Sequence, residues 1–448
     1  MIVVLGGGPA GRMAAIRLAS AKKPVTLVEP KGVSQGIGGQ CLHFGCMPVC
    51  ALNDIARMIG QARRFRERGM TDAVPSFNFA KVMEETLAVQ QKIAGILDHE
   101  TREAGVNVVY GKAGRVDGRR VFVGDEEIEA EAIIIATGSR PNIPKSPGIN
   151  LTGVWTPHTL WGLRELPENL VIVGGSVMAA EFAYIFAAFG SHVTVLARSG
   201  FLKGLDKHLR AIAIKELEGV DIREGAAVSG IEGTDRVTGV RFTAGGNEEI
   251  IGADAVFLAA GLVPNSEMVT GMEKGRGGEI VVDDRMQTSV SGVYACGDVA
   301  GAPYLTPVAR HEGIVAADNI LGIERHMDYS RIPQAIYLAH DLAFCGNGGE
   351  GSASFALPGP AGPGTYWSVP YGDTGLAKIF ADPATGEIEG MCVAGPAGGV
   401  IAGYLAFLMR RHITVHDFEE FIEVHPSTDG VYGLAKYASE LLRKRNGS

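Results

Sequence analysis

The chain opens on four apolar residues, Ile2-Val3-Val4-Leu5, which read as a short buried strand. The stretch Gly6-Gly7-Gly8-Pro9-Ala10-Gly11 interrupts them, and a helical pattern follows from Arg12 to Ala21. A second apolar run, Val25 to Val28, ends at Glu29. The layout recurs mid-chain: Leu170 to Val173 predicts a strand, Gly174 to Ala179 a turn, Ala180 to Phe189 a helix, and His192 to Leu196 the next strand. Ile133-Ile134-Ile135-Ala136, Ala255 to Leu258 and Gly292 to Ala295 are further buried-strand patterns closed by glycine turns. Past about Arg325 the pattern becomes mixed, with strand-like Gln334 to Leu338, Leu376 to Phe380 and Met391 to Ala394, a helix at Gly399 to Met409, and a Pro/Gly loop at Pro358 to Gly364. The sum is an α/β chain with two nucleotide-binding folds and a C-terminal α+β domain.

Composition narrows the function classes. The 448 residues are 46% hydrophobic and 20% charged, an ordinary globular balance with room for about three domains. The 62 glycines fall in no low-complexity run and point to nucleotide loops and tight turns. A net charge of −9 without a basic block argues against nucleic acid. Met1 leads straight into a strand, so no signal peptide is expected, and Glu181 with the Gly174-Gly175 pair breaks the apolar run Val171 to Gly190, so no membrane span is expected. A cytoplasmic location follows. Six cysteines are too few for a disulfide scaffold, and no histidine or cysteine spacing suggests a metal site.

The first glycine turn has every part of a dinucleotide fingerprint: strand, G-x-G-x-x-G, helix, strand, acid. Gly6 makes the turn, Gly8 lets the backbone approach a pyrophosphate, and Gly11 lets helix and strand pack. The helix N-terminus attracts the anion, and Glu29, 18 residues after Gly11, suits a ribose diol. The second turn is altered. Ser176 replaces the middle glycine and Ala179 the third, while Ala197-Arg198 replaces the acid. Arginine there, with Lys203, suits a 2′-phosphate, which favours NADP over NAD.

The candidate chemistry lies in Gly38-Gly39-Gln40-Cys41-Leu42-His43-Phe44-Gly45-Cys46-Met47-Pro48, where two cysteines stand five positions apart. Beside a nucleotide fold they suggest a thiol–disulfide couple facing a redox cofactor. Pro48 predicts a helix starting just after Cys46, and a helix N-terminus lowers a thiol pKa from roughly 8.5.

Together these motifs resemble the flavin-dependent pyridine nucleotide–disulfide oxidoreductases, in the branch of dihydrolipoamide dehydrogenase, glutathione reductase and mercuric reductase. The resemblance implies an FAD-binding domain at 1–148 that resumes at 266–325, an NAD(P)-binding domain at 149–265, and a dimerisation domain at 326–448 that makes a homodimer. By similarity, Gly6, Gly8, Pro9, Ala10, Gly11, Glu29, Gly39, Ala113, Thr137, Gly138 and Asp298 hold FAD, with Leu305, Thr306 and Ala309 near the isoalloxazine. Gly174, Gly175, Ser176, Arg198 and Gly261 serve NAD(P)H. The same resemblance makes Cys46 the charge-transfer thiol and Cys41 the interchange thiol of a disulfide. It makes His425, from the partner subunit, the acid–base catalyst. The implied substrate is a small dithiol or disulfide such as dihydrolipoamide, free or on a carrier protein.

Two departures stand against the family pattern. His425-Pro426-Ser427-Thr428-Asp429-Gly430 lacks the acid that orients the histidine, and only Asp429, one position early, is at hand. Cys50 occupies the position of a lysine whose glutamate partner is retained as Glu181, which leaves that carboxylate to be protonated or to find another partner. Cys50 itself is expected to be a small apolar filler, the alternative being a third redox thiol. Arg57, Arg63, Arg64, Arg66 and Arg68 enrich the helix after the cysteines, where a solvated face is the expectation and steering of an acidic partner the alternative. Two other readings stay open: a reductase of the same scaffold with a metal, quinone or other substrate or another donor, and a non-catalytic FAD-bound subunit.

Overall fold

The computed structural model describes residues 1–356, 368–372, 374–425 and 427–446; the Pro358 to Gly364 loop and Pro426 lie outside the described residues. The chain divides into two units. One comprises Met1–Ala51, Asn78–Glu165 and Phe257–Asp328; the other comprises Leu52–Phe77, Leu166–Val256 and Tyr329–Ser448.

The first unit is built on a parallel sheet in the order Val293–Ala295, Ala132–Ile135, Ile2–Leu5, Val25–Glu29, Asn107–Tyr110. Its central strand pairs in register on both sides, Val4 with Leu27 and Ile134. Strands covered on both faces are apolar throughout, which is why they read as continuous hydrophobic runs. The helix after the first glycine turn spans Pro9–Ser20, three residues earlier than expected, because Pro9 is tolerated in a first turn. It packs against the helix Thr306–Ile320 so closely that a Cβ on Gly313 would lie 2.2 Å from the Ala10 carbonyl oxygen. An antiparallel meander, Gly114–Asp117, Arg120–Val123 and Glu126–Ile128, adds Val116, Val121 and Val123 to the same core.

The second unit carries a parallel set, Asn169–Val173, His192–Ala197 and Asp221–Glu224, with the helix Val177–Phe189 after the second glycine turn. It also holds an antiparallel sheet in the order Gln334–Tyr337, Asp341–Asn347, Ile388–Gly395, Leu376–Ala381, Ala353–Ala356. Helices Gly398–Met409 and Val431–Asn446 close its core, where Ile379, Met391, Val393, Leu405 and Leu434 are buried. Cys296, Cys345 and Cys392 are buried, as expected of core residues. Among the described residues no helix is long and apolar enough to cross a membrane.

Candidate active site

Local sterics build the first glycine turn. Gly6 has φ +110°, and a Cβ there would sit 2.2 Å from the Ala136 carbonyl oxygen; a Cβ on Gly11 would sit 2.1 Å from the Gly6 carbonyl oxygen. Neither position accepts a side chain. Gly8, at the head of the helix, abuts the backbone of Gly39. Glu29 is buried and accepts from the Gly7 amide at 2.8 Å and the Lys31 amide at 3.0 Å. Burial raises its pKa against the pull of these two amides. Thr137 and Gly138 are tied to Asn265: the Thr137 hydroxyl donates to the Asn265 carbonyl at 2.7 Å, and the Asn265 side chain donates back at 3.0 Å. Asp298 is raised by burial and accepts from the Ser139 hydroxyl at 2.5 Å. Ala113 is exposed, and Leu305 is the residue before the helix that begins at Thr306. Ala309 is buried in that helix, and Gly261, φ +95°, has open space around it.

Cys41 lies in a short helix, Gly39–His43. Cys46 is the first residue of a long one, Cys46–Glu67, so the helix starts two residues before Pro48 rather than after the cysteine. Both are free thiols, Cys41 half-buried and Cys46 exposed, and they hydrogen-bond each other. That bond, the Thr306 hydroxyl 3.7 Å from Cys46 Sγ, and the Cys46 amide together lower the Cys46 thiol to about 6, against burial. The Cys41 thiol is pushed up, first because it is the donor to Cys46 and second by burial. The pair is therefore polarised, with a thiolate on Cys46 and a thiol on Cys41. Around it, Gln90 donates to the Leu42 and His43 carbonyls, and Gln40 meets His158 Nε2 at 3.1 Å. Burial lowers the His158 pKa to about 4, so this ring stays neutral. Cys50 is exposed, not the packed filler expected of a small apolar residue there.

Of the five arginines after the cysteines, Arg66 and Arg68 are exposed, and all but Arg66 make hydrogen bonds in the second unit. In the second unit Arg57 binds the Leu338 carbonyl and Asp341, Arg63 the Ala187 carbonyl, Arg64 Glu218, and Arg68 the Pro370 carbonyl; Arg66 is exposed.

The second glycine turn keeps its backbone demands. A Cβ on Gly175 would lie 2.3 Å from the Gly200 carbonyl oxygen, and the Leu202 amide donates to Gly175 at 2.7 Å. This pins the loop that carries Arg198 and Lys203, both exposed, against the turn. Gly174 has φ +142°. Ser176 heads the helix, is exposed and makes no capping hydrogen bond. Glu181 accepts from the Tyr337 amide at 3.0 Å, a partner in place of the absent lysine. His425 is exposed. Asp429 uses one carboxylate oxygen for the Tyr404 hydroxyl and the other for the Val431 amide at 2.7 Å. Among the described residues no group of three or more ligands could hold a metal ion.

The family description "Pyridine nucleotide-disulphide oxidoreductase" matches residues 1–313. The chain belongs to that family. It is 32% identical over 443 residues to the dihydrolipoyl dehydrogenase of Geobacillus stearothermophilus, covering 95% of this chain and 93% of the relative. The dihydrolipoyl dehydrogenase of Haloferax volcanii is 31% identical over 451 residues, with 95% and 93% covered. The solved HOCl-induced flavoprotein disulfide reductase RclA of Escherichia coli superposes with a TM-score of 0.84 at 25% identity, covering 97% of this chain and 99% of that one. A Cu(II) complex of an RclA mutant matches at 0.83 and 25% identity over 98% of each chain. Family membership makes this chain an oxidoreductase that uses FAD and a pyridine nucleotide.

Sequence reasoning missed Gln90, Ser139, Asn265 and the role of Thr306 as a thiol partner. Gln90 had a readable signal: it shares a buried helical stripe with Phe79, Met83, Thr86 and Ala94.

Proposed function

We propose that the chain is a cytoplasmic, homodimeric disulfide oxidoreductase in which Cys41 and Cys46 pass electrons between NAD(P)H and a small dithiol or disulfide of the dihydrolipoamide type. The observation that carries this is the hydrogen-bonded Cys41–Cys46 pair at the head of the Cys46 helix, with the Thr306 hydroxyl 3.7 Å from Cys46 Sγ. FAD supplies the two-electron exchange between the nucleotide and the thiols. Gly6, Gly8, Gly11 and Gly39 form a cradle free of side chains for its pyrophosphate, with Glu29 for the ribose and Asp298, Thr306 and Ala309 toward the ring. In the direction of disulfide reduction, the Cys41 sulfur gives up its proton to a base as it attacks the substrate disulfide, and the leaving sulfur takes that proton and departs as one thiol. Cys46 then displaces the second thiol and closes the Cys41–Cys46 bond. His425 of the partner subunit manages the proton. The exposed apolar residues Val400, Phe407, Ile422 and Val424 suit burial against a second copy.

NADPH is the favoured donor, because the pinned loop presents Arg198 and Lys203 and ends in no acid. Cys50 favours a second reading. An exposed thiol one turn along the helix from Cys46 suits reduction of a soft metal ion, and RclA has been solved as a Cu(II) complex.

The test is turnover of NADPH and NADH with lipoamide, glutathione disulfide, a quinone and Cu(II). Lipoamide reduction that falls at least ~100-fold in Cys41→Ser and Cys46→Ser is expected, since each removes the thiol relay. Turnover of Cu(II) but not of any disulfide would instead select the second reading.

A further inference from the structure

We propose that Gln90 is the positioning residue of the Cys41–Cys46 couple, an inference that rests on the relay just described. Cys41 sits in a helix of five residues, too short to satisfy its own last carbonyls. The buried side-chain amide of Gln90 takes two of them, donating to the Leu42 carbonyl at 3.0 Å and the His43 carbonyl at 2.7 Å. Both carbonyls lie in the stretch that joins the two cysteines. The same long helix, Phe79–Glu103, packs Ala94 and Leu97 in one cluster with Leu42 and Ile37. The cysteine turn is thus held from a polar and an apolar side by one rigid element. The Phe44 amide closes it back onto the Gln40 carbonyl at 2.9 Å.

This fixes the approach of the two sulfurs before any bond forms. Oxidation joins Cys41 Sγ to Cys46 Sγ as the Cys41 S–H bond breaks; the Cys46 thiolate has already given its proton to solvent. The two electrons and the Cys41 proton, with a second proton from solvent, pass to an oxidised dithiol reagent, whose S–S bond opens. A turn already held in place needs little rearrangement to close, so the disulfide forms more favourably than in a loose loop. Gln90 touches neither sulfur; it acts through the turn.

The experiment equilibrates the FAD-loaded protein in buffers of graded oxidised and reduced dithiothreitol, traps free thiols by alkylation and counts them by mass spectrometry. Gln90→Met, similar in size but without the donors, is expected to lower the equilibrium constant for the disulfide about tenfold, a shift of about 30 mV. Gln90→Glu keeps the shape, exchanges donors for acceptors, and shifts the equilibrium the same way; it serves where the methionine variant does not accumulate. Thr86→Val is the control, because Thr86 is buried on the same helix and its hydroxyl bonds to the Val82 carbonyl of that helix. It is expected to change thermal stability and leave the thiol equilibrium unmoved. A wild-type equilibrium in the Gln90 variants, or an equal shift in Thr86→Val, overturns the proposal. A wild-type protein that forms no Cys41–Cys46 disulfide at any ratio overturns the relay itself, a result distinct from failure of Gln90 alone.

Discussion

The two glycine turns of this chain occupy the same place in the same local fold, yet they diverge at two positions, Ser176 for Gly8 and Ala179 for Gly11. Backbone presses on backbone at Gly6 against Ala136, Gly11 against Gly6 and Gly175 against Gly200, although the second turn has Ala179 where the first has Gly11. Gly8 is different. A Cβ there would meet nothing nearer than the Gly39 Cα at 3.8 Å, an ordinary contact. The protein's own packing does not demand Gly8, and the proposed function gives it a reason in the close approach of the FAD pyrophosphate. Its counterpart in the second turn is Ser176, exposed and without a capping bond. The fold tolerates the exchange, and on the proposed reading it is the contact with a nucleotide that changes. Packing glycines and ligand glycines can therefore be told apart by what a Cβ would touch.

That distinction breaks most visibly at Gly11. Gly11→Ala forces a Cβ onto the Gly6 carbonyl, and overpacking of this kind costs about 1–3 kcal/mol. Chemical denaturation is expected to show that loss, with FAD affinity falling alongside. Gly8→Ala should separate the two properties. The apoprotein's denaturation midpoint stays near wild type, while FAD affinity, read by flavin fluorescence, drops at least ~10-fold, as for loss of about 1.4 kcal/mol of binding. Equal damage to stability in both variants would erase the distinction.

Ser176→Gly sharpens the comparison from the other side. Restoring the close approach is expected to lower KM for the pyridine nucleotide several-fold with kcat little changed, the signature of uniform binding. Stability should shift by only a few tenths of a kcal/mol, because serine and glycine are nearly equivalent at a helix N-cap. A smaller effect is expected at Thr306. Its hydroxyl helps hold the Cys46 thiol at about 6, so the sulfur is protonated below that pH and a thiolate above it. Thr306→Val removes one donor to the thiolate and moves the midpoint of the thiolate signal upward, by less than about one unit. A pH titration of the two-electron-reduced protein, followed by its long-wavelength band, reads this directly. A downward or absent shift would mean that Thr306 does not stabilise the thiolate.

The buried parallel strands were legible because strands covered on both faces must be apolar along their whole length, as Ile2–Leu5 and Ala132–Ile135 are. The meander Gly114–Ile128 escaped notice because Asp117, Arg120, Glu126 and Glu127 mask its alternation. The cysteine pair and both glycine turns were legible because each needs particular residue types at fixed spacing. What surrounds them was not. Charge along a sequence does not name its partner, so the arginines after Cys50 read as a free face although Arg57, Arg63, Arg64 and Arg68 are all engaged. Gln90, 49 residues after Cys41, supports the cysteine turn through a tertiary contact that no local spacing encodes.

The central claim is the passage of electrons from a pyridine nucleotide to the Cys41–Cys46 pair. The most direct test is an anaerobic titration of the oxidised, FAD-loaded protein with NADPH, combined with trapping of the thiols released. One equivalent is expected to raise the long-wavelength thiolate band and to open two alkylatable thiols, at Cys41 and Cys46. If dithionite bleaches the flavin but NADPH and NADH both leave the band absent and the two cysteines unlabelled, the relay from nucleotide to thiols is contradicted.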